Sequence, residues 1–152
     1  MSTQPSEPID LRHAASRDEL AACYHVVVGL RPFLKDADEW CERAEAMANA
    51  GYRVLAAWRQ NQVVAVAGYR VNENLIHGRF LYVDDLVTAP DDRGKGLGAC
   101  LLKELIRIGV NENCRRLVLD TAAANTNARR FYKREGLLDL VVGFVKPLEN
   151  VA

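Results

Sequence analysis

The spacing of apolar positions changes several times along the chain, and each change marks an element. Ile9 to Ala14 reads as a short first strand. From Ser16 the spacing becomes helical. Leu20, Cys23, Tyr24, Val27 and Leu30 fall on one face, Ser16 and Glu19 form a capping-box pair at the start, and Pro32 stops the run. Asp36 and Glu39 repeat the capping pattern for a second helix, which buries Trp40, Ala44 and Met47 and ends at Gly51. Tyr52 to Trp58 and Val63 to Val71 have strand character, and the short Arg59-Gln60-Asn61-Gln62 connection predicts a hairpin.

Phe80 to Thr88 supplies a third long strand. Leu97, Leu101, Leu102, Leu105 and Ile106 then trace a helical stripe with Lys103, Glu104 and Arg107 outward, until Gly109 and the polar Asn111-Glu112-Asn113 segment end it. Arg116 to Thr121 is a short run of buried-strand character. Asn125 to Glu135 is a helix ended by Gly136, and Leu137 to Val145 a final strand interrupted by Gly143. This order predicts a mixed α/β sheet, antiparallel in its first half, with one crossover helix between the third long strand and the next.

Composition narrows the class. At 152 residues and 49% hydrophobic, residues 1–152 are expected to form one domain with a single core. The formal net charge is zero and no basic run or tail occurs, so neither nucleic acid nor an anionic membrane is expected as a partner, and a small molecule is. Cys23, Cys41, Cys100 and Cys114 fall singly, without a CxxC or a nearby pair of histidines, and read as reduced thiols rather than metal ligands. Met1 to Pro8 is polar and carries no apolar signal region, and nowhere do 18 apolar residues run together, which predicts a cytoplasmic protein.

Chemistry enters at Asp91-Asp92-Arg93-Gly94-Lys95-Gly96-Leu97-Gly98, between the third long strand and the helix after it. Glycines alternating with Lys95 and Leu97 let backbone amides converge, the helix start offers unpaired N–H groups and the positive end of its dipole, and Arg93 and Lys95 add cationic donors. The segment is suited to a pyrophosphate. It does not fit a dinucleotide fingerprint, because position 99 is Ala and the third glycine falls one residue early. It does not fit a Walker A loop, because Lys95 is followed by Gly96 rather than Ser or Thr. A bare strand-to-helix turn would not require three glycines in five residues.

Arg93 to Gly98 resembles the acetyl-CoA loop of the GNAT family of N-acetyltransferases, Arg/Gln-x-x-Gly-x-Gly/Ala after the fourth strand. A second block, Asn125 to Leu137, resembles that family's Asn-x-x-Ala-x-x-x-Tyr-x-x-x-Gly-Phe segment, with Leu137 in place of Phe. The resemblance covers most of the chain from Tyr52 onward. It implies a mixed, mostly antiparallel sheet of six to seven strands flanked by about four helices. It also implies an enzyme that transfers the acetyl group of acetyl-CoA to a primary amine of a small metabolite or peptide. A non-catalytic CoA-binding regulatory module and a Rossmann-type nucleotide domain are the competing readings, and a homodimer through the last strand or a sheet edge is expected.

The same resemblance assigns roles. Tyr132 would protonate the departing thiolate, and a phenol with an unperturbed pKa of about 10 is protonated at neutral pH; it also reads as a packing residue beside Phe131. Asp84, with Asp85 second, would be the base. Adjacent residues on a strand point to opposite faces unless a bulge intervenes, and both carboxylates also read as structural partners for a loop amide or Arg93. Glu73 and His77 are weaker candidates. The backbone around Leu86, Val87 and Thr88 would polarise the carbonyl. Arg93, Gly94, Lys95, Gly96, Leu97 and Gly98 would hold the cofactor's phosphates. Asn125 would bind its pantetheine or phosphate region, though it also suits a helix N-cap. Arg31, Phe33 and Glu73 would border the acceptor pocket. No Cys has a His partner, so direct attack in a ternary complex is expected rather than an acetyl-enzyme.

Overall fold

The computed structural model describes residues 7–149, and the start of the polar N-terminal segment lies outside them. The chain divides into two compact units, Met1–Leu119 and Asp120–Ala152. In the first, β1 (Ile9–His13), α1 (Arg17–Leu30), α2 (Ala37–Ala48), β2 (Arg53–Arg59), β3 (Gln62–Asn74), β4 (Gly78–Thr88), a single 3-10 turn at Pro90–Asp92, α3 (Leu97–Asn111) and β5 (Arg116–Leu119) follow in order. They build one five-stranded sheet, β1-β2-β3-β4-β5. The first three pairings are antiparallel, and the last, across the α3 crossover, is parallel.

Local chemistry accounts for the boundaries. The Ser16 hydroxyl accepts from the Glu19 amide while the Glu19 carboxylate accepts from the Ser16 amide, closing the expected capping box on α1. Asp36 caps α2 in the same way, but its Glu39 partner reaches back one residue further, to the Lys35 amide at 2.7 Å. The β2–β3 hairpin closes through Gln60, held at φ 56°. Alternation along β2 and β3 then splits the core between the two faces of the sheet. Val54, Ala56, Trp58, Val63 and Val66 pack against α1 and α2, and Leu55, Ala57, Val64, Ala65 and Ala67 against α3.

Two features of α3 differ from the sequence expectation. Ile106 is exposed, and Ile108 packs against the core in its place. Gly109 does not end the helix. It lies buried in the last turn, where a β-carbon would meet the Leu81 side chain at an ordinary 3.7 Å.

The second unit holds α4 (Thr126–Arg134), capped by Asn125 and followed by Gly136 at φ +92°. The sheet has five strands, not six to seven, because Leu137 to Val145 forms no strand among the described residues. Leu138, Leu140, Val141, Val142, Phe144 and Val145 are exposed. Apolar and β-branched composition gives this segment strand propensity, but a strand exists only where a neighbour supplies the ladder. α1 to α4 make up the expected four helices. No described helix is long and apolar enough to cross a membrane.

Candidate active site

The parallel ladder between β4 and β5 runs from Phe80↔Arg116 to Val83↔Leu119 and stops. β4 continues through Asp84, Asp85, Leu86, Val87 and Thr88 without β5 beside it, so the sheet opens there. Leu86, Val87 and Thr88, expected to polarise a carbonyl through the backbone, lie on this opened stretch. β4 leads into the turn and the glycine loop. Gly94 and Gly96 sit at φ +77° and +80°, a region where a β-carbon is strained, and Gly96 is the N-cap of α3 with no side chain capping the helix. The first-turn N–H groups of α3 therefore have no intrahelical acceptor.

The loop is anchored by a residue to which the sequence assigns no role of its own. Asp92 is 7% exposed and accepts from Arg59 on β2 and from Lys95 Nζ at 3.2 Å. The Arg59 hydrogen bond, reinforced by Lys95, holds the Asp92 carboxyl below the usual carboxylate range. Lys95 is thus engaged within the loop, whereas Arg93 has no ion pair among the described residues.

Asp84 and Asp85 do not obey simple strand alternation. Gly68 pairs with Asp85 and Tyr69 with Val83, which leaves Asp84 as the extra residue of a bulge. Both carboxylates join one cluster. Arg70 Nε donates to Asp84 Oδ2 at 3.1 Å, and the Arg70 guanidinium lies 5.4 Å from the centre of the Tyr52 ring. The Tyr52 hydroxyl donates to Asp85 Oδ2 at 2.7 Å. Arg31, the C-cap residue of α1, donates through Nε to Asp85 Oδ1 at 2.9 Å and through Nη2 to the Asp84 carbonyl at 3.0 Å. Burial pushes the Asp84 carboxyl pKa up, against the pull of Arg70. Burial and the facing Asp85 push the Tyr52 phenol far up, so it stays a donor.

Of the expected acceptor-pocket residues, only Arg31 reaches this cluster. Phe33 is exposed, under the Arg43 guanidinium. Glu73 and His77 belong to the far end of the β3–β4 hairpin, where they line a cavity of about 500 Å³ and His77 Nδ1 lies 3.1 Å from Arg116 Nη1. Glu73 lies three positions beyond Arg70 on β3, about 10 Å along a strand. A second cavity, of about 410 Å³, lies between the end of α2 and the start of β2 and is lined by neither Asp84 nor Asp85.

Three residues of the cluster went unnoticed in the sequence: Tyr52, Gly68 and Arg70. Gly68 carried a signal, since a glycine inside a strand pattern marks a bulge or a close approach. Tyr52 and Arg70 looked like ordinary strand residues.

In the second unit, the Asn125 side chain accepts from the Ala128 amide at 3.0 Å, which establishes its role as N-cap. Tyr132 is half-buried beside Phe131, with ring centroids 5.2 Å apart, and burial raises its phenol above the usual range. Cys23 and Cys41 are buried thiols, Cys114 is half-buried and Cys100 exposed, and all four are free. Among the described residues no cluster of His, Cys, Asp and Glu could hold a metal ion.

A five-stranded mixed sheet opened beside β4, with a glycine loop delivering the uncapped start of a helix to the end of that strand, defines the class as a mixed α/β fold. The model of the family described as "Acetyltransferase (GNAT) family" matches residues 15–137, and the chain belongs to that family. A thialysine N-epsilon-acetyltransferase of Bos taurus is 29% identical over 90 residues, covering 57% of this chain and 53% of that protein. A glucosamine 6-phosphate N-acetyltransferase of Candida albicans is 30% identical over 79 residues, covering 51% of each. The chain thus spans about half the length of these curated relatives. The crystal structure of a Trypanosoma brucei acetyltransferase superposes with a TM-score of 0.78 at 20% identity, covering 93% of this chain and all of that one.

Proposed function

We propose that the chain is a single-domain N-acetyltransferase that moves the acetyl group of acetyl-CoA onto a primary amine of a small molecule. The observation that carries this reading is the adjacency of the Gly94–Gly96 loop, with its uncapped α3 terminus, to the opened stretch of β4 that bears Asp84. The loop fits a pyrophosphate because two left-handed glycines leave backbone donors unobstructed, and Arg93 beside them has no ion pair among the described residues. Acetyl-CoA supplies an acyl thioester. The names of two relatives, acting on thialysine and on glucosamine 6-phosphate, support an amine acceptor.

The residues divide the work as follows. Asp84, raised by burial and holding one carboxylate oxygen free of hydrogen bonds among the described residues, takes the proton of the acceptor ammonium directly or through water. The amine nitrogen then bonds to the thioester carbon and the carbon–sulfur bond breaks. Backbone amides around Leu86 to Thr88 stabilise the developing oxyanion. Asp85, fully engaged by Arg31 and Tyr52, positions the bulge rather than moving a proton. Tyr132, assigned from the second motif, gives its phenolic proton to the departing thiolate, and the second proton that the attacking nitrogen loses as the amide forms restores the phenol through solvent. The apolar run from Leu137 to Val145 is the basis for expecting a homodimer.

Release of free CoA thiol from acetyl-CoA on addition of primary amines tests the reading. The Tyr132→Phe protein should release thiol roughly a hundredfold more slowly while binding acetyl-CoA unchanged. A Tyr132→Phe protein of full activity would remove Tyr132 from proton transfer. Acetyl-CoA binding without transfer to any amine would favour the non-catalytic CoA-binding module.

A further inference from the structure

The cluster around Asp84 holds more guanidinium donors than the fold uses. The Arg70 side chain is 22% exposed, yet it makes one charge-assisted hydrogen bond, to Asp84 Oδ2. Its Nη2 lies 3.7 Å from Met47 Sδ, a weak acceptor, and its Nη1 has no partner among the described residues. A guanidinium carries five N–H donors, and those without a protein partner here reach solvent, where a ligand could meet them. Arg31 spends Nε and Nη2 on Asp85 and the Asp84 carbonyl, and its Nη1 likewise has no partner among the described residues.

Charge leads to the same conclusion. Two arginines and two aspartates sum to zero, so the cluster carries no excess negative charge to attract a polycation. Its spare capacity consists of guanidinium donors and a single carboxylate oxygen, Asp84 Oδ1. An amine opposite Asp84 Oδ1 and an anion on the spare guanidinium donors would use both.

We propose that Arg70, assisted by Arg31, selects acceptors in which the reacting amine is accompanied by an anionic group, a carboxylate or a phosphate. This rests on the acetyltransferase reading and narrows its substrate class. Arg70 is then a specificity-determining residue, and guanidinium geometry matters because it can offer paired donors that an ammonium cannot.

The test compares kcat/KM within matched pairs of amines at saturating acetyl-CoA: L-lysine against 1,5-diaminopentane, and glucosamine 6-phosphate against glucosamine. Removing Arg70 also alters Asp84, but that change affects both members of a pair, so the ratio isolates anion recognition. The wild-type protein should favour the anionic member by roughly tenfold or more, the size of one charge-assisted hydrogen bond. Arg70→Gln should bring the ratio close to one, Arg70→Lys should retain part of it, and Arg31→Gln should lower it. A wild-type preference for the anion-free member, or a ratio unchanged in Arg70→Gln, overturns the proposal and leaves the acetyltransferase reading standing. If neither pair is acetylated, a wider set of amines decides, and accepted amines that all lack an anion overturn it equally. Acetylation of no amine at all overturns both.

Discussion

A β-carbon on Gly68 would stand 2.1 Å from the Tyr52 hydroxyl oxygen and 2.6 Å from Asp85 Oδ2. The hydrogen bond between Tyr52 and Asp85 therefore passes through space that only a glycine leaves open, directly opposite the bulge that presents Asp84. Gly68→Ala is expected to destabilise the protein by about 1–3 kcal/mol through overpacking. Tyr52→Phe removes the oxygen at 2.1 Å but keeps the ring carbon Cζ at 2.6 Å, so the alanine should cost less in that background than in the wild type without becoming neutral. Urea denaturation of the four proteins checks this, and strictly additive effects would contradict the contact.

The acidic limb of the pH–rate profile reports on Asp84. A base works when deprotonated, so kcat/KM should fall as pH drops through the Asp84 pKa, which burial lifts above its ordinary value. Arg70 pulls that pKa down, and its removal in Arg70→Gln should move the limb to higher pH. Asp84→Asn should lower kcat by about a hundredfold or more. An Arg70→Gln limb that stays in place, or an Asp84→Asn protein of normal rate, would take Asp84 out of the proton transfer.

His13 ties stability to pH. Its Nε2 lies 2.7 Å from the hydroxyl of buried Tyr69, and burial, with Arg53 nearby, lowers its pKa below 6.5. The unfolded chain then binds a proton more readily than the folded one. The stabilising contribution is fully present above 6.5 and is lost as pH falls through the lower, folded pKa. Thermal midpoints should decline over that window, and His13→Gln should flatten the decline. An unchanged slope in His13→Gln would assign the effect elsewhere.

The helix caps, the hairpin, the crossover and the glycine loop were legible in the sequence because each depends on neighbours within a few residues. Ser16 with Glu19, Asp36, and Gly94 with Gly96 announce themselves locally. The Asp84–Asp85 pair was visible, but its geometry was not, because the bulge arises from the register between β3 and β4. Arg70 and Tyr52 reach the pair from positions 14 and 33 residues away in sequence, and no periodicity reports which long side chain will cross such a distance. Asp92 was read as part of the loop, yet its burial depends on Arg59 of β2. Leu137 to Val145 shows the opposite error: strong local propensity, yet no strand pairs it among the described residues.

The central claim is that the loop after β4 holds acetyl-CoA, and heat denaturation with acetyl-CoA, NAD or ATP tests it most directly. Acetyl-CoA at a hundred times its dissociation constant should stabilise the protein by roughly 2.7 kcal/mol, NAD and ATP should not, and Gly96→Ala should require more acetyl-CoA for the same shift. No shift with acetyl-CoA, or a larger one with NAD or ATP, would contradict the account.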